Sequence, residues 1–295
     1  MTSFWHRAGR MKVLDVACVR IGRRYLRLDV PRAMGIVNVT PDSFSGDGFG
    51  DDTSAAVARG LEMFKQGADI VDVGGESTRP GALPVSIQEE ISRVCPVIER
   101  LNRKHPGFIS VDTMKPEVAE AAIVAGAGIV NDVSGLRNRA MIDLVSDTGS
   151  SIIIMHMLGE PRTMQKNPRY EDVVRDVGRF LRGRIRAAED SGIRPDRIMI
   201  DPGIGFGKTL NHNLELLGRL RELRSIGKPI VVGVSRKSFI GKLTGTDADS
   251  RLEGSIAAVV LAIREGASIV RVHDVAETVR ALRVADGIMK MTRIP

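Results

Sequence analysis

The sequence predicts an α/β protein built as a single (β/α)8 TIM barrel with a short N-terminal β-hairpin. Two observations carry this expectation. Short Ile/Val-rich runs, apolar on both faces as buried parallel strands are, return eight times from Ala33 onward. Helical patterns separate them, and no low-complexity linker breaks the alternation. A doubly wound open sheet is the other arrangement of the same elements.

In chain order, residues 1–10 (MTSFWHRAGR) lack periodicity and are expected to be disordered. VLDVACV and YLRLDV flank IGRR, which places a hairpin within 11–32. The barrel then spans 33–291. Its predicted strands are AMGIVNV (33–39), DIVDVGG (69–75), FISVDT (108–113), GIVNDVSG (128–135), SIIIMH (151–156), RIMIDPG (197–203), PIVVGVS (229–235) and SIVRVHD (268–274). Helices are read at 53–67, 86–104, 116–126 and 213–227, among others. The pairs Gly67-Ala68, Gly126-Ala127 and Gly266-Ala267 mark helix-to-strand turns, because glycine past a helix end adopts the left-handed conformation cheaply.

Composition narrows the function classes. At 43% hydrophobic and 27% charged the chain has the balance of a soluble globular protein, and 4% aromatics leave little to stack single-stranded nucleic acid. The net charge of +7 is front-loaded, with Arg7, Arg10, Lys12, Arg20, Arg23, Arg24, Arg27 and Arg32 ahead of the first barrel strand. Without a groove-reading motif this favours anionic small molecules over nucleic acid. The basic hairpin either closes the bottom of the barrel or lies in solvent. Cys18 and Cys95 form no disulfide framework, and neither a signal core nor an 18-residue apolar run is present, so a cytoplasmic protein away from membranes is expected.

Active sites of such barrels sit at the C-terminal ends of the strands. Those ends carry Asn38; Asp72, followed by Glu76, Thr78 and Arg79; Asp112; Asn131 and Asp132; His156; Asp201; Ser235, Arg236, Lys237 and Ser238; and Arg271, His273 and Asp274. Asp132 and Asp274 read as turn or cap residues. Capping alone, however, needs one polar group per loop and does not explain the concentration of acids and bases. Two partial motifs are set aside. PGIGFGKT (202–209) has Pro202 where a phosphate loop needs its first glycine, and GVSRK (233–237) has Lys237 where a nucleophile elbow needs its last. No His/Cys spacing suggests a metal cluster.

NVTPDSFS, DVGGESTRPG, SVDT, NDVSG, MHM, DPGIGFGK, GVSRKSFIG and RVHDV occur in this order between Ala33 and Met289. Together they closely resemble the motifs of the dihydropteroate synthases, pterin-binding TIM-barrel enzymes of folate biosynthesis. The resemblance implies condensation of 6-hydroxymethyl-7,8-dihydropterin diphosphate with p-aminobenzoate, Mg2+ as cofactor, and a homodimer. It implies that Asp112, Asn131 and Asp201 accept hydrogen bonds from the pterin's amino-pyrimidine edge, that Lys237 donates to the opposite side, and that Met155 packs on the ring. Asn38, Arg271 and His273, with Thr78, would meet the diphosphate, and Asn38 would ligate Mg2+. Phe44, Thr78, Arg79, Pro80, Phe206, Lys237 and Ser238 would form the p-aminobenzoate site, for which sulfonamides would compete.

Two competing readings remain: a corrinoid-dependent methyltransferase barrel, which would share the pterin acids, and a non-catalytic pterin-binding paralogue. The chain departs from the family at one loop. The family usually reads SFSDGG, whereas here Ser43-Phe44-Ser45-Gly46-Asp47-Gly48 puts the acid one place later. Asp47, flanked by glycines, either replaces the family's catalytic loop acid or belongs to a solvated turn.

Overall fold

A computed structural model describes residues 18–40, 52–77 and 83–291. Strands β1 (Cys18–Ile21) and β2 (Arg24–Arg27) pair antiparallel, with Ile21 opposite Arg24, so Gly22 and Arg23 make a two-residue turn. Gly22 takes φ +58° there. The predicted hairpin is thus present, and its described part is centred on the predicted turn.

The barrel strands are β3 (Arg32–Asn38), β4 (Ile70–Gly74), β5 (Phe108–Asp112), β6 (Ile129–Asp132), β7 (Ser151–Met155), β8 (Ile198–Asp201), β9 (Val231–Gly233) and β10 (Ile269–Val272). All neighbours pair in parallel, in the order β8-β7-β6-β5-β4-β3-β10-β9. A parallel bridge between Ile200 and Ile230 joins β8 to the start of β9 and closes the ring, which rules out the open sheet.

Nine helices of the described residues surround it: α1 (Thr53–Lys65), α2 (Ile87–Lys104), α3 (Pro116–Ala125), α4 (Arg139–Thr148), α5 (Val173–Asp190), α6 (Leu210–Gly218), α7 (Ser238–Thr244), α8 (Leu252–Arg264) and α9 (Val275–Met291). Side-chain caps start several of them. Asp52, Ser86, Asn138 and Asp172 each accept a backbone N–H in the first turn, and Thr209 and His212 form a reciprocal capping box. Gly67, Gly126 and Gly266 sit at φ +101°, +119° and +107°, as the Gly-Ala pairs predicted.

The pattern at 213–227 predicts one helix, but the chain divides it. α6 stops at Gly218, a poor helix former, and Arg219 leaves helical geometry at φ −112°. A 3₁₀ segment, Leu220–Ile226, follows. The Arg219 guanidinium ties Glu215, Glu222 and Asp172, fixing the break. Several predicted strands also end early. Beyond Asp132, for example, the backbone turns because the Asp132 carboxylate captures the N–H groups of Ser134 (2.7 Å) and Leu136 (2.8 Å).

Alternation along the strands sorts the core into two shells. Outward residues such as Val71, Val111, Ile152 and Val270 pack beneath the helices. Inward residues Met34, Ile70, Ile129, Ile153, Met199, Val231 and Ile269 form a second cluster with Val19, Ile21 and Leu26 of the hairpin. The hairpin therefore stops the N-terminal end of the barrel. Arg24 donates to Pro106 O and Gly107 O and stacks 4.4 Å over Phe108, while Ser151 Oγ donates to Arg20 O at 2.5 Å. No helix among the described residues is long and apolar enough to cross a membrane.

Candidate active site

At the other end of the barrel the inward positions become polar. Asp72 of β4 is wholly buried, and its Oδ2 accepts from Arg271 Nε of β10 at 2.6 Å and from Asn131 Nδ2 of β6 at 3.1 Å. Arg271 Nη2 donates to Asp112 Oδ2 of β5 at 2.7 Å. One guanidinium thus serves two carboxylates across the mouth. Burial pulls the guanidinium toward its neutral form, but Asp72 and then Asp112 outweigh burial and raise its pKa. Asp112 is the less compensated acid. Burial pushes it up to about 7 against the pull of Arg271, with Asp72, Glu90 and Asp132 adding like charge. The Oδ1 atoms of Asp72 and Asp112 are both buried without a hydrogen-bond partner in the protein.

On the facing wall, buried Asp201 ends β8 and accepts from Gly203 N at 2.7 Å. Burial raises its pKa, opposed by Lys237. Lys237 precedes α7, donates to Ile204 O and lies 4.8 Å over the Phe206 ring. Burial lowers its ammonium to about 8 despite Asp201. Met155, from the end of β7, is buried with Val133, Met157 and Met164, and Phe206 and Met114 pack on that cluster. An apolar wall flanked by acids and one lysine suits a flat heterocycle with N–H donors on one edge and acceptors on the other.

The loop bearing Phe206 is pinned from within. Lys208, 3% exposed, donates to Gly203 O (2.8 Å) and Phe206 O (3.0 Å) and lies 3.0 Å from His156 Nδ1. Burial lowers the Lys208 pKa well below its ordinary value. Burial first, and Lys208 second, hold His156 down to about 2, so its imidazole is neutral. A Cβ at Gly203 would fall 1.8 Å from His156 O, which explains the glycine. The strand-end His156 is therefore an internal partner of Lys208.

Ser235 Oγ accepts from His273 N at 3.2 Å and contacts His273 Nδ1 at 3.0 Å, and Arg59 donates to His273 O at 2.9 Å. Arg236, at φ +57°, forms a two-point ion pair with Asp274 (3.1 and 2.5 Å), linking the β9 and β10 loops. Asp274 O caps α9 through Thr278 N, so its carboxylate serves Arg236 while its backbone serves the helix. Asp132 acts in the turn described above, as expected. Half-buried Asn38 lies at the end of β3 opposite Gly74, and exposed Ser238 begins α7.

Phe44, Asp47, Thr78, Arg79 and Pro80 lie outside the described residues. Lys115 Nζ donates to Glu76 Oε2 (2.7 Å), Val85 O (2.7 Å) and Glu90 Oε2 (2.6 Å), linking the end of β4 to the start of α2. Among the described residues no group of three His, Cys, Asp or Glu side chains could hold a metal ion. The amide oxygen of Asn38, at the end of β3, is a hard donor of the kind that Mg2+ accepts. In the sequence Asp72 is a strand-end acid with no assigned role, and Lys208 appears only inside the partial phosphate loop and the DPGIGFGK motif, with no role of its own. Their spacing from Arg271, Asn131 and His156 along the chain hides the contacts.

Residues 34–273 match the family described as pterin binding enzyme. The dihydropteroate synthase of Escherichia coli (strain K12) is 46% identical over 264 residues, covering 90% of this chain and 94% of the relative. The chain belongs to the dihydropteroate synthase family. A dihydropteroate synthase from Xanthomonas albilineans, solved with 7,8-dihydropteroate, is 45% identical, covers 95% of this chain and all of its own, and superposes with a TM-score of 0.83. The Yersinia pestis dihydropteroate synthase, solved in a sulfonamide drug complex, is 40% identical, covers 93% of this chain and 99% of its own, and has a TM-score of 0.90.

Proposed function

We infer that the protein condenses 6-hydroxymethyl-7,8-dihydropterin diphosphate with p-aminobenzoate, releasing 7,8-dihydropteroate and diphosphate. The observation that carries this reading is the mouth cluster of Asp72, Asp112, Asn131, Asp201 and Lys237 beside Arg271, in a chain of the dihydropteroate synthase family. Asp112, Asn131 and Asp201 accept from the pterin's amino-pyrimidine N–H groups. The Lys237 ammonium donates to the ring's carbonyl side, and Met155 covers its face. Arg271 uses Nε and Nη2 on carboxylates, which leaves other guanidinium N–H groups for phosphate oxygens.

Diphosphate leaves as the C–O bond to the pterin methylene breaks, and the aniline nitrogen attacks the resulting cation. Arg271, His273 and Thr78 stabilise the charge growing on the leaving group. Bound Mg2+ would add charge neutralisation on the diphosphate, with Asn38 as its protein ligand. Phe206 and Lys237, with Phe44, Thr78, Arg79, Pro80 and Ser238, hold p-aminobenzoate, and Asp47 steadies the cation. Sulfonamides compete at that site. The same reading has the enzyme act in the cytoplasm as a homodimer.

The decisive experiment is complementation of a strain lacking dihydropteroate synthase, paired with diphosphate release measured with and without p-aminobenzoate. Growth and p-aminobenzoate-dependent release are expected. Pterin binding without release would instead mark a non-catalytic paralogue, and methyl transfer from a folate a methyltransferase barrel. Light scattering of the purified protein tests the dimer.

A further inference from the structure

The contacts of Asp72 go further than its burial. A single atom, Oδ2, holds both Arg271 Nε at 2.6 Å and Asn131 Nδ2 at 3.1 Å. A carboxylate oxygen offers lone pairs and no proton, so only the NH2 end of the Asn131 amide can face it. That leaves Asn131 Oδ1, at the other end of the amide, as the group available to a ligand. The same oxygen, together with Asp112 Oδ2 on Nη2, fixes the plane of the Arg271 guanidinium. Asp72 itself is wholly buried at the second inward position of β4, beside Ser110 and Ile36 in the ladder.

We propose that Asp72 is a positioning residue that sets two recognition groups at once. It turns the Asn131 amide so that an acceptor meets a pterin N–H, and it aims Arg271 at the diphosphate. The inference rests on the reaction proposed above. The two roles need different properties of Asp72. Orienting Asn131 needs an acceptor atom at the Oδ2 position, which an asparagine carbonyl can supply. Holding Arg271 in register needs the negative charge, which asparagine lacks.

Two substitutions separate these roles. The measurements are the affinity for 6-hydroxymethyl-7,8-dihydropterin without its diphosphate, kcat with the diphosphate substrate, and thermal unfolding. Asp72→Asn should bind the free pterin within about threefold of the wild type while kcat falls about tenfold or more. Asp72→Ala should lose about tenfold in free-pterin affinity as well, because the Asn131 amide is then free to present its donor. Should Asp72→Ala not fold, Asp72→Ser, whose short hydroxyl does not span the gap to Asn131, takes its place. A purely structural Asp72 would give folded variants with lower melting temperatures but wild-type affinity and kcat per folded molecule, and that result overturns the proposal. Loss of free-pterin affinity in Asp72→Asn equal to that in Asp72→Ala overturns the separation of roles. A wild-type protein without p-aminobenzoate-dependent turnover would instead overturn the functional reading.

Discussion

Asp112 shows how one residue's surroundings set a measurable pH dependence. Burial raises its carboxyl to about 7, and Arg271 only partly offsets this. A folded-state pKa above the unfolded value of 3.8 contributes stability that is fully present below 3.8 and lost as pH rises through about 7. Pterin recognition runs the opposite way, since an ionised carboxylate is the better acceptor for ring N–H groups. Free-pterin affinity is therefore expected to weaken as pH falls below about 7, approaching tenfold per pH unit, and titration calorimetry between pH 5.5 and 8.5 would detect this. Asp112→Asn should flatten that slope and lower the affinity at pH 8. Arg271→Ala should reduce kcat by about a hundredfold or more, the scale seen when one charge-stabilising donor is lost, with a much smaller effect on free-pterin binding. Wild-type turnover in that variant would remove Arg271 from the leaving-group role.

At the scale of elements, the loop from β8 to α6 is the clearest case of structure held from inside. Lys208 donates to two carbonyls of that loop and lies 3.0 Å from His156 Nδ1 at the neighbouring strand end. Lys208→Met leaves those acceptors buried without a donor, and a loss of about 3 kcal/mol is expected in denaturant unfolding. His156 adds an acid limb. Its folded pKa of about 2 lies below the unfolded 6.5, so its contribution is present above 6.5 and declines as pH falls toward 2, by about 1.4 kcal/mol per pH unit. His156→Asn should shallow that decline in unfolding measured from pH 7 to 4.5. The elements themselves were legible, because strand runs apolar on both faces and Gly-Ala turns are local signals. The eight polar strand ends were legible for the same reason, since the fold puts such positions at one mouth. What stayed hidden depends on contacts between residues far apart in the chain, such as Asp72 with Arg271 and Lys208 with His156. Arg219 breaking a continuous helical pattern is a further instance, since its partner Asp172 lies in another unit.

For the whole molecule, the hairpin explains charge that composition alone left open. Arg24 caps the carbonyls ahead of β5, and Arg32 pairs with Asp29 at 3.0 Å and Asp69 at 3.1 Å. Two of the described front-loaded arginines, Arg24 and Arg32, therefore fasten this end of the chain to the barrel. Its apolar side, Val19, Ile21 and Leu26, completes the inner cluster, so the barrel interior is closed by the hairpin at one end and carries the polar mouth at the other. Stability and chemistry should then separate along the barrel axis, as they do when one face of such a fold bears the active site. Leu26→Ala tests this, because Leu26 is 4% exposed and packs in the inner cluster. A buried leucine truncated to alanine costs about 3 kcal/mol, whereas a solvated hairpin residue would change stability by less than about 0.5 kcal/mol. Denaturant unfolding should show the larger loss, with kcat and KM per folded molecule unchanged. A small loss would mean that the hairpin is not a structural stopper. A large change in KM would mean instead that packing at the bottom reaches the Asp72 layer and governs the mouth above it.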